Sequence, residues 1–472
     1  MRRQDCRTDR WRISSLRSRE AYVRPTAPIV PLLAKELREI SAGRALWTMS
    51  LLVCPLVGYS FVQAVALYSE SSAAALQSPV LARSLSPLDG ILVPTFGSFY
   101  VAVTLLFPFV AIRVLGQEKE TGALRLLIQL PYRRSTLVLA KLCAVLTGWL
   151  LVSIPALSAL ALWIILGGHL AAPETLNLLF GHLLYGLLVG GIGLFAATIS
   201  DNSATAAIVA LAVTIGSWVL DFTLAGRSGW SAWFAQLSLT QTLRPFEEGL
   251  LSAGLVLGIA TVIAGLTALT IIWLLPGSHR RTKFARSLVC LLMIVLALGA
   301  ATQVRKSVDV SEDRRNSFSA ADERLLATLR LPLVITVNLA PEDPRYIDLR
   351  RNVLAKLERA MPDVAIVLAG ARQNAPGSPG AYGQIKYIYG NRSDVSRSTS
   401  PREILPLLYA LAGAQPPAPG AGEEYPGYPL VASADPTLLW FFVGLPLLIA
   451  LAWWWIRRPA IRPRFVDKGA KS

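Results

Sequence analysis

The fold is decided by apolar runs such as residues 142–166, which read LCAVLTGWLLVSIPALSALALWIIL and carry no charge. A helix needs roughly 17 to 25 mostly apolar residues to cross the hydrocarbon core of a bilayer. This run has that length, and a basic residue, Lys141, directly precedes it. The stretch therefore predicts a transmembrane helix.

Seven further runs of this kind predict an α-helical polytopic membrane protein with about eight transmembrane helices. The composition agrees, because only 16% of the residues are charged, whereas soluble domains carry about 25%. The seventh run is short, and only a few polar residues separate the fourth from the fifth. The predicted spans are residues 46–67, 91–114, 142–166, 176–198, 204–224, 251–275, 288–304 and 437–456.

The loops on one side of the predicted bundle are rich in lysine and arginine, and those on the other side are nearly free of both. The basic segments are residues 2–44, 113–141, 280–286 and 457–471. Because lysine and arginine favour the cytoplasmic side, both termini are predicted to be cytoplasmic and residues 305–436 to lie outside. The net charge of +16 thus belongs to residues that flank the membrane, and a nucleic-acid partner is not predicted.

Residues 305–436 predict a small extracytoplasmic α/β domain between the last two spans. Strands are expected over 333–339, 364–368 and 384–389, and helices over 346–361 and 401–413. Residues 415–429 are rich in proline and glycine and predict a linker. The domain contains neither cysteine nor histidine, so it is expected to fold without disulfides or a bound metal.

The loop between the second and third spans carries the functional information. Residues 113–141 read RVLGQEKETGALRLLIQLPYRRSTLVLAK, in which Leu124, Leu127 and Ile128 predict a short amphipathic helix. Such a helix is too short to span the bilayer. It can dock in a groove of a partner protein, or it can rest on lipid headgroups, and the spacing alone allows both.

This loop resembles the coupling segment of ABC-2 type transporter permeases. In that family an acidic pair, a Thr-Gly, a leucine-rich turn, a proline, basic residues and a lysine recur in this order. Ala123 and Tyr132 depart mildly from the family pattern. The matching positions are Glu118, Glu120, Thr121, Gly122, Leu126, Leu127, Pro131, Arg133, Arg134 and Lys141.

The resemblance covers about residues 31–276 and implies a six-span permease core in the inner membrane of a bacterium. Residues 238–250 resemble the outer segment of the subgroup related to gliding-motility and nitrous-oxide-reductase accessory permeases. Residues 308–319 resemble the start of a gliding-motility-type auxiliary domain, which would here be truncated and fused to the permease. The predicted divisions are a basic tail with an amphipathic entry helix (1–44), the core (45–276), a basic loop with the seventh span (277–304), the outer domain (305–436), the eighth span (437–456) and a second basic tail (457–472).

The family implies the membrane-spanning permease subunit of an ATP-driven exporter. A separate ABC ATPase would dock on residues 117–134, where Leu126 and Leu127 would supply the apolar contact. Glu118 and Glu120 would pair with basic residues of the ATPase or cap the short helix, which Pro131 would end. A second permease copy or half-unit would complete the complex. ATP and magnesium would be held by the ATPase, so no cofactor is expected in this chain. Membrane lipid is the other expected partner, and the transported substrate cannot be derived from the sequence.

Two ionisable residues in the predicted spans are candidates for a substrate path, His182 and Asp221. A hydrogen bond from His182 to a neighbouring helix and an interfacial position for Asp221 are the alternatives. His169 and His279 are expected at opposite interfaces, so the histidines do not predict a metal site.

Other functions find less support in the sequence. There is no phosphate-binding GxxxxGK[ST] and no hydrolase or metalloprotease motif, so the chain is not expected to be an enzyme. The main alternative to transport is a membrane scaffold whose outer domain binds envelope partners.

Overall fold

The computed structural model describes residues 29–130, 132–224, 238–274, 277–304, 306–341, 343–361, 363–369, 382–417 and 425–458. Its helices, in chain order, are α1 Ile29–Ala42, α2 Arg44–Ala75, α3 Pro79–Ala82, α4 Leu88–Glu120, α5 Ala123–Gln129, α6 Arg134–Ile165, α7 Ala172–Ile199, α8 Ser203–Leu224, α9 Leu239–Glu247, α10 Ala253–Trp273, α11 Arg280–Thr302, α12 Ala320–Thr328, α13 344–360, α14 Pro401–Ala412 and α15 Asp435–Arg457. The strands are β1 Leu250–Ser252, β2 Ser307–Asp309, β3 Leu333–Val337, β4 Val364–Leu368, β5 Ile385–Tyr389 and β6 Arg392–Ser396.

Eight helices of the described chain are long and apolar enough to cross a membrane, which confirms the predicted polytopic helical fold. They are α2, α4, α6, α7, α8, α10, α11 and α15. The seventh span differs from the prediction, because α11 begins at Arg280 rather than near residue 288. Its first two turns contain the basic residues that had been assigned to a loop. Arginine and lysine favour helices and extend their charged ends to the membrane interface, so they do not end a span.

The fourth span, α7, packs closely against its neighbours through glycines. A Cβ atom on Gly186 would lie 2.1 Å from the Trp149 ring of α6, and one on Gly193 would lie 2.9 Å from Ala111 of α4. Larger side chains at these positions would force the helices apart. The small residues of this span therefore serve close helix packing, as their spacing predicts.

The spans alternate in direction, and contacts at their ends define two sides of the bundle. On the basic side lie α1, α5 and the beginnings of α2, α6, α8 and α11, together with the arginines that end α15. On the domain side lies a compact α/β unit of residues 306–417, the sheet domain. Its strands have the order β4-β3-β5-β6, with β3 and β4 parallel and the other pairs antiparallel. The structure thus places a small sheet domain between the last two spans.

The sheet domain has a hydrophobic core of its own and is also fastened to the bundle. Strand β3 turns Leu333, Ile335 and Val337 into that core. Strand β2 pairs with β1, which directly precedes α10. Nearby, Arg315 forms an ion pair with Asp89 at the start of α4. The domain therefore sits on the bundle through both backbone pairing and charge.

A second anchor lies beside the first. The carboxylate of Glu312 accepts hydrogen bonds from Tyr428 and contacts His169 Nε2 at 3.0 Å. The rings of His169 and Tyr428 stack with their centroids 3.7 Å apart. The backbone amide of Glu312 donates to Glu174 at the start of α7. Three separate parts of the chain thus meet on the domain side: residues 169–174, Glu312 and Tyr428.

The eighth span, α15, packs on the outside of α2 and reaches α1. A Cβ atom on Gly58 of α2 would lie 2.3 Å from Phe441 of α15, so the glycine allows the two helices to approach. The ring of Phe441 also lies 5.9 Å from that of Phe61. This packing brings Arg457, near the end of α15, to the basic side beside α1.

Candidate functional site

The segment between α4 and α6 folds as a short helix held against the bundle on the basic side. Helix α4 ends at Glu120, Gly122 is left-handed with a φ of 78°, and α5 follows over seven residues. Leu130 is then extended, and Arg133 directly precedes α6. The predicted amphipathic helix is present. Pro131, which was expected to end it, lies outside the described residues.

Helix α5 has one face toward the bundle and one toward solvent. Leu124 is buried, and Leu127 and Ile128 pack against the core of the bundle. The other face, here named the α5 exposed face, consists of Arg125, Leu126, Gln129 and Leu130. Its two leucines are 66% and 46% exposed, respectively. The helix therefore presents an apolar pair edged by one positive charge.

The sequence predicted that Leu126 and Leu127 would contact a partner together, and the structure separates them. Successive residues of a helix point about 100° apart, so Leu127 lies against the bundle while Leu126 points away from it. Leu130, which directly follows α5 in extended backbone, is the second exposed leucine of the segment. It was not among the predicted site residues.

Three carboxylates and two lysines form an ion cluster where α1, α4 and α6 meet. Lys141 Nζ lies 3.1 Å from both carboxylate oxygens of Glu36 and 2.6 Å from Oε2 of Glu118. Lys35 also pairs with Glu118 and lies 3.2 Å from Glu36 and 3.1 Å from Glu39. Glu36, Glu118 and Lys141 are at most 5% exposed. The cluster joins the entry helix to the second and third spans.

This cluster corrects the expected roles of two site residues. Glu118 was predicted to pair with basic residues of a partner or to cap the short helix, and Lys141 to open the third span. Both side chains are buried and are paired within the chain. An acidic residue five positions before a short helix looks exposed in the sequence, but here α1 covers it.

Two residues of α1, Lys35 and Glu36, have shifted pKa values inside the cluster. Burial raises the pKa of the Glu36 carboxyl above its ordinary value, although the nearby Lys141 ammonium opposes this shift. Burial alone would lower the pKa of Lys35, but its hydrogen bond to Glu118 and the charge of Glu36 prevail and raise it. Lys35 is therefore protonated across the physiological pH range.

The last turn of α4 also holds the neighbouring spans on the basic side. Glu120 Oε1 accepts hydrogen bonds from the backbone amide of Ser203, at 3.0 Å, and from its hydroxyl, at 2.5 Å. It therefore caps α8, whereas the sequence suggested a cap on α5 or contact with a partner. Lys119 Nζ donates to the carbonyl of Thr198, at 3.1 Å, in the last turn of α7.

The other residues of the predicted segment keep local roles. The Thr121 hydroxyl donates to the carbonyl of Gln117 at 2.9 Å and closes the end of α4. Arg133 is exposed and Arg134 is half-exposed at the start of α6. These two arginines, together with Arg125, are therefore accessible to a partner.

Gly122 is the turn that sets the direction of α5. A Cβ atom at this position would meet no atom within 4 Å, so any cost of substitution comes from its left-handed backbone. We expect Gly122→Ala to destabilise the segment by roughly 1 to 2 kcal/mol, because that backbone is strained for residues with a Cβ. Gly122→Asn should cost less, since asparagine tolerates this conformation.

Limited proteolysis of the purified protein compares the stability of this segment in the two Gly122 variants and the wild type. Cleavage within residues 117–134 should rise for the alanine variant and change little for the asparagine variant. Equal cleavage of the two variants and the wild type would show that the left-handed turn does not hold α5.

His182 lies in the middle of the bundle among aromatic rings. It is 1% exposed, and its ring centroid is 5.0 Å from that of Phe96 and 6.0 Å from that of Phe99. Its Nε2 atom has no hydrogen-bond partner among the described residues, so the expected bond to a neighbouring helix is not formed at this atom. Asp221 is in the last turn of α8, and its side chain lies outside what the structure describes.

One group of side chains has the spacing of a metal site. Oxygen atoms of Glu36, Glu39 and Glu118 lie within 4.8 Å of one another. All three carboxylates already form ion pairs with Lys35 or Lys141. The arrangement therefore fits an ion cluster made by the chain itself better than a cation site.

Part of the chain matches the model of a known family. Residues 30–239 match the model described as ABC-2 family transporter protein. The matched region runs from α1 through α8 and includes α5 and the ion cluster. It ends before α10, the sheet domain and α15. No curated protein matches the chain.

The match supports a membrane permease of an ABC transporter, and permeases of this class work with an ABC ATPase. The matched region contains one feature of the site that was not predicted from the sequence, the ion cluster. The ion cluster depends on Glu36, the one acidic residue on the buried face of α1, between Leu32 and Ile40. An acid at the centre of an apolar stripe is the signal that could have revealed it.

Proposed function

We propose that this chain is the permease subunit of an ATP-driven ABC exporter, with a separate ATPase subunit docking on the α5 exposed face. The observation that carries the proposal is that α5 exposes one face while the helices before and after it are held together by ion pairs. Leu126 and Leu130 point away from the bundle, while α4 and α6 are joined to α1 by the ion cluster. Movement of α5 would thus be transmitted directly to the second and third spans.

The charges on the α5 exposed face indicate what the partner's surface would be like. Arg125 lies beside the exposed leucines, and Arg133 follows on the same side. A shallow apolar groove with acidic residues at its rim would complement this pattern. Glu118 takes no part in this contact.

Co-expression of the chain with ABC ATPase subunits from the same genome tests the proposal. The expected result is a co-purifying complex whose ATP hydrolysis depends on the permease in lipid nanodiscs. If no ATPase subunit associates and the sheet domain instead retains an envelope protein, the chain is a membrane scaffold. The completed transporter is expected to contain a second permease copy or half-unit.

The proposal includes an orientation, with the basic side in the cytoplasm of a bacterial cell and the sheet domain outside its inner membrane. We expect a cysteine at Ile347, which is 56% exposed in the sheet domain, to react with a membrane-impermeant maleimide in spheroplasts. A cysteine at Leu126 should react only after permeabilisation. Both variants are to be made in a chain without its four native cysteines. The opposite labelling pattern would contradict the orientation.

A further inference from the structure

A cavity of about 460 Å³ opens on the basic side, where α1 turns into α2. Its walls come from the end of α1, the start of α2, the inner half of α4 and the end of α15. The indole of Trp47 donates to the carbonyl of Ser41 and fixes the turn between α1 and α2. The cavity is therefore built from parts of the chain that are far apart in sequence and held in place.

Three arginines from three different helices line this cavity: Arg44 of α2, Arg113 of α4 and Arg457 of α15. In the described part of the chain, Arg44 and Arg113 take part in no ion pair. Arg457 lies over the ring of Trp453, with its guanidinium 5.1 Å from the centroid. The charge of Glu120 acts on Arg113 without forming an ion pair with it, so all three arginines remain available to an anion in the cavity.

The carboxylates that line the same cavity neutralise these arginines only in part. Glu36 and Glu118 are paired with Lys141, and Glu39 is paired with Lys35. The three arginines and the two lysines therefore carry five positive charges, and the three carboxylates carry three negative charges. The cavity is positive, and its positive charge is concentrated on the arginine side.

The backbone adds to the attraction for an anion. Helix α2 begins in the cavity wall, and its N-cap residue Gly43 has no side chain to accept hydrogen bonds from the first turn. Free amides at a helix N-terminus carry a partial positive charge. Phosphate groups bind readily where such amides lie beside arginines.

Most of the remaining lining is apolar and includes Leu46 and Val110, although Gln117 and Thr121 also contribute to it. On α15, Trp454 and Trp455 are more than half exposed next to Arg457, as in the aromatic belts of membrane proteins. A ligand that fits this site has an anionic head and an apolar tail.

We propose that this cavity binds the phosphate headgroup of an anionic phospholipid from the leaflet on the basic side. Arg44, Arg113 and Arg457 hold the phosphate, and the acyl chains lie along α4 and α15. The lipid would join α15, which lies beyond the ABC-2 region, to α1 and α4. The proposal does not depend on the identity of the ATPase.

Native mass spectrometry of the full chain, released from nanodiscs that mix phosphatidylglycerol with phosphatidylcholine, tests this site. The test variant carries Arg44→Gln, Arg113→Gln and Arg457→Gln. The control variant carries Arg280→Gln, Arg281→Gln and Arg286→Gln, which remove the same charge from exposed positions of α11. The wild type and the control should retain phosphatidylglycerol, whereas the test variant should bind it roughly a hundredfold more weakly.

Two further experiments identify the ligand and show whether the test variant loses binding only because it misfolds. Inorganic phosphate should not displace the retained lipid, and a variant with lysine at all three cavity positions should keep most of the binding. Equal loss in the test and control variants would show a general surface attraction and overturn the site. Displacement by inorganic phosphate would show a soluble anion site instead. If the test variant retains the lipid but no longer associates with the ATPase, the cavity belongs to the interface with the ATPase and the lipid site is overturned.

Discussion

Replacing Lys141 by methionine is expected to prevent stable folding of the permease. The change leaves two buried carboxylates, Glu36 and Glu118, with only Lys35 to neutralise them. Removing one partner of a buried ion pair typically costs about 3 to 5 kcal/mol. This is a large fraction of the total stability of most domains. The measurement is the yield and thermal unfolding of the purified protein in detergent.

A triple variant shows whether charge is the cause. In Glu36→Gln, Glu118→Gln, Lys141→Met no formal charge remains on the three side chains, and their volumes change little. We expect most of the lost stability to return, because neutral replacements for a buried ion pair are often tolerated. The exposed change Arg281→Met is the matched control and should shift the free energy of unfolding by less than about 0.5 kcal/mol. If Lys141→Met leaves thermal unfolding unchanged, or if the triple variant is as unstable as Lys141→Met, the charges of the ion cluster do not determine the stability of the fold.

Charge substitutions on the α5 exposed face should uncouple the ATPase without disturbing the fold. Leu126→Asp and Leu130→Asp each place a carboxylate where the proposal requires apolar contact. Full burial of a leucine contributes roughly 1.5 to 3 kcal/mol, so each change should weaken association about 10- to 100-fold. Stability should be nearly unchanged, since both leucines are already exposed in the free chain. Binding of the ATPase subunit and its permease-dependent hydrolysis are the readouts.

Two comparisons make the α5 experiment specific. Val80→Asp, at a residue 75% exposed on α3 of the domain side, should alter neither association nor hydrolysis. Leu127→Asp should instead lower stability, because Leu127 packs against the bundle. If Leu126→Asp and Leu130→Asp keep full association, α5 only lies on lipid headgroups, and docking must be sought elsewhere.

The transmembrane helices could be predicted from the sequence because bilayer thickness imposes a length that apolar runs reveal directly. The short helix α5 was also predictable, since Leu124, Leu127 and Ile128 share one face. Whether that apolar face meets the bundle or a partner was not predictable. That depends on how α5 is rotated against α4, and the left-handed turn at Gly122 sets this rotation.

The contacts between distant segments were beyond the reach of a sequence pattern. Glu118 looked like a surface acid until α1 was placed over it, and Glu120 looked like a cap for α5 until α8 was placed beside it. Strand β6 was missed because Arg392–Ser396 is a polar, largely exposed edge strand without an apolar alternation. Each of these depends on a neighbour that is close in space and remote in the chain.

Photo-crosslinking from α5 tests the central claim most directly. p-Benzoylphenylalanine is to be placed at position 126, and in separate chains at positions 80 and 281, and each chain is co-expressed with the ABC ATPase subunit. The account predicts a crosslink to the ATPase from position 126 and none from position 80 or 281. Crosslinks from position 126 to lipid alone, with the ATPase bound elsewhere or not at all, would contradict it.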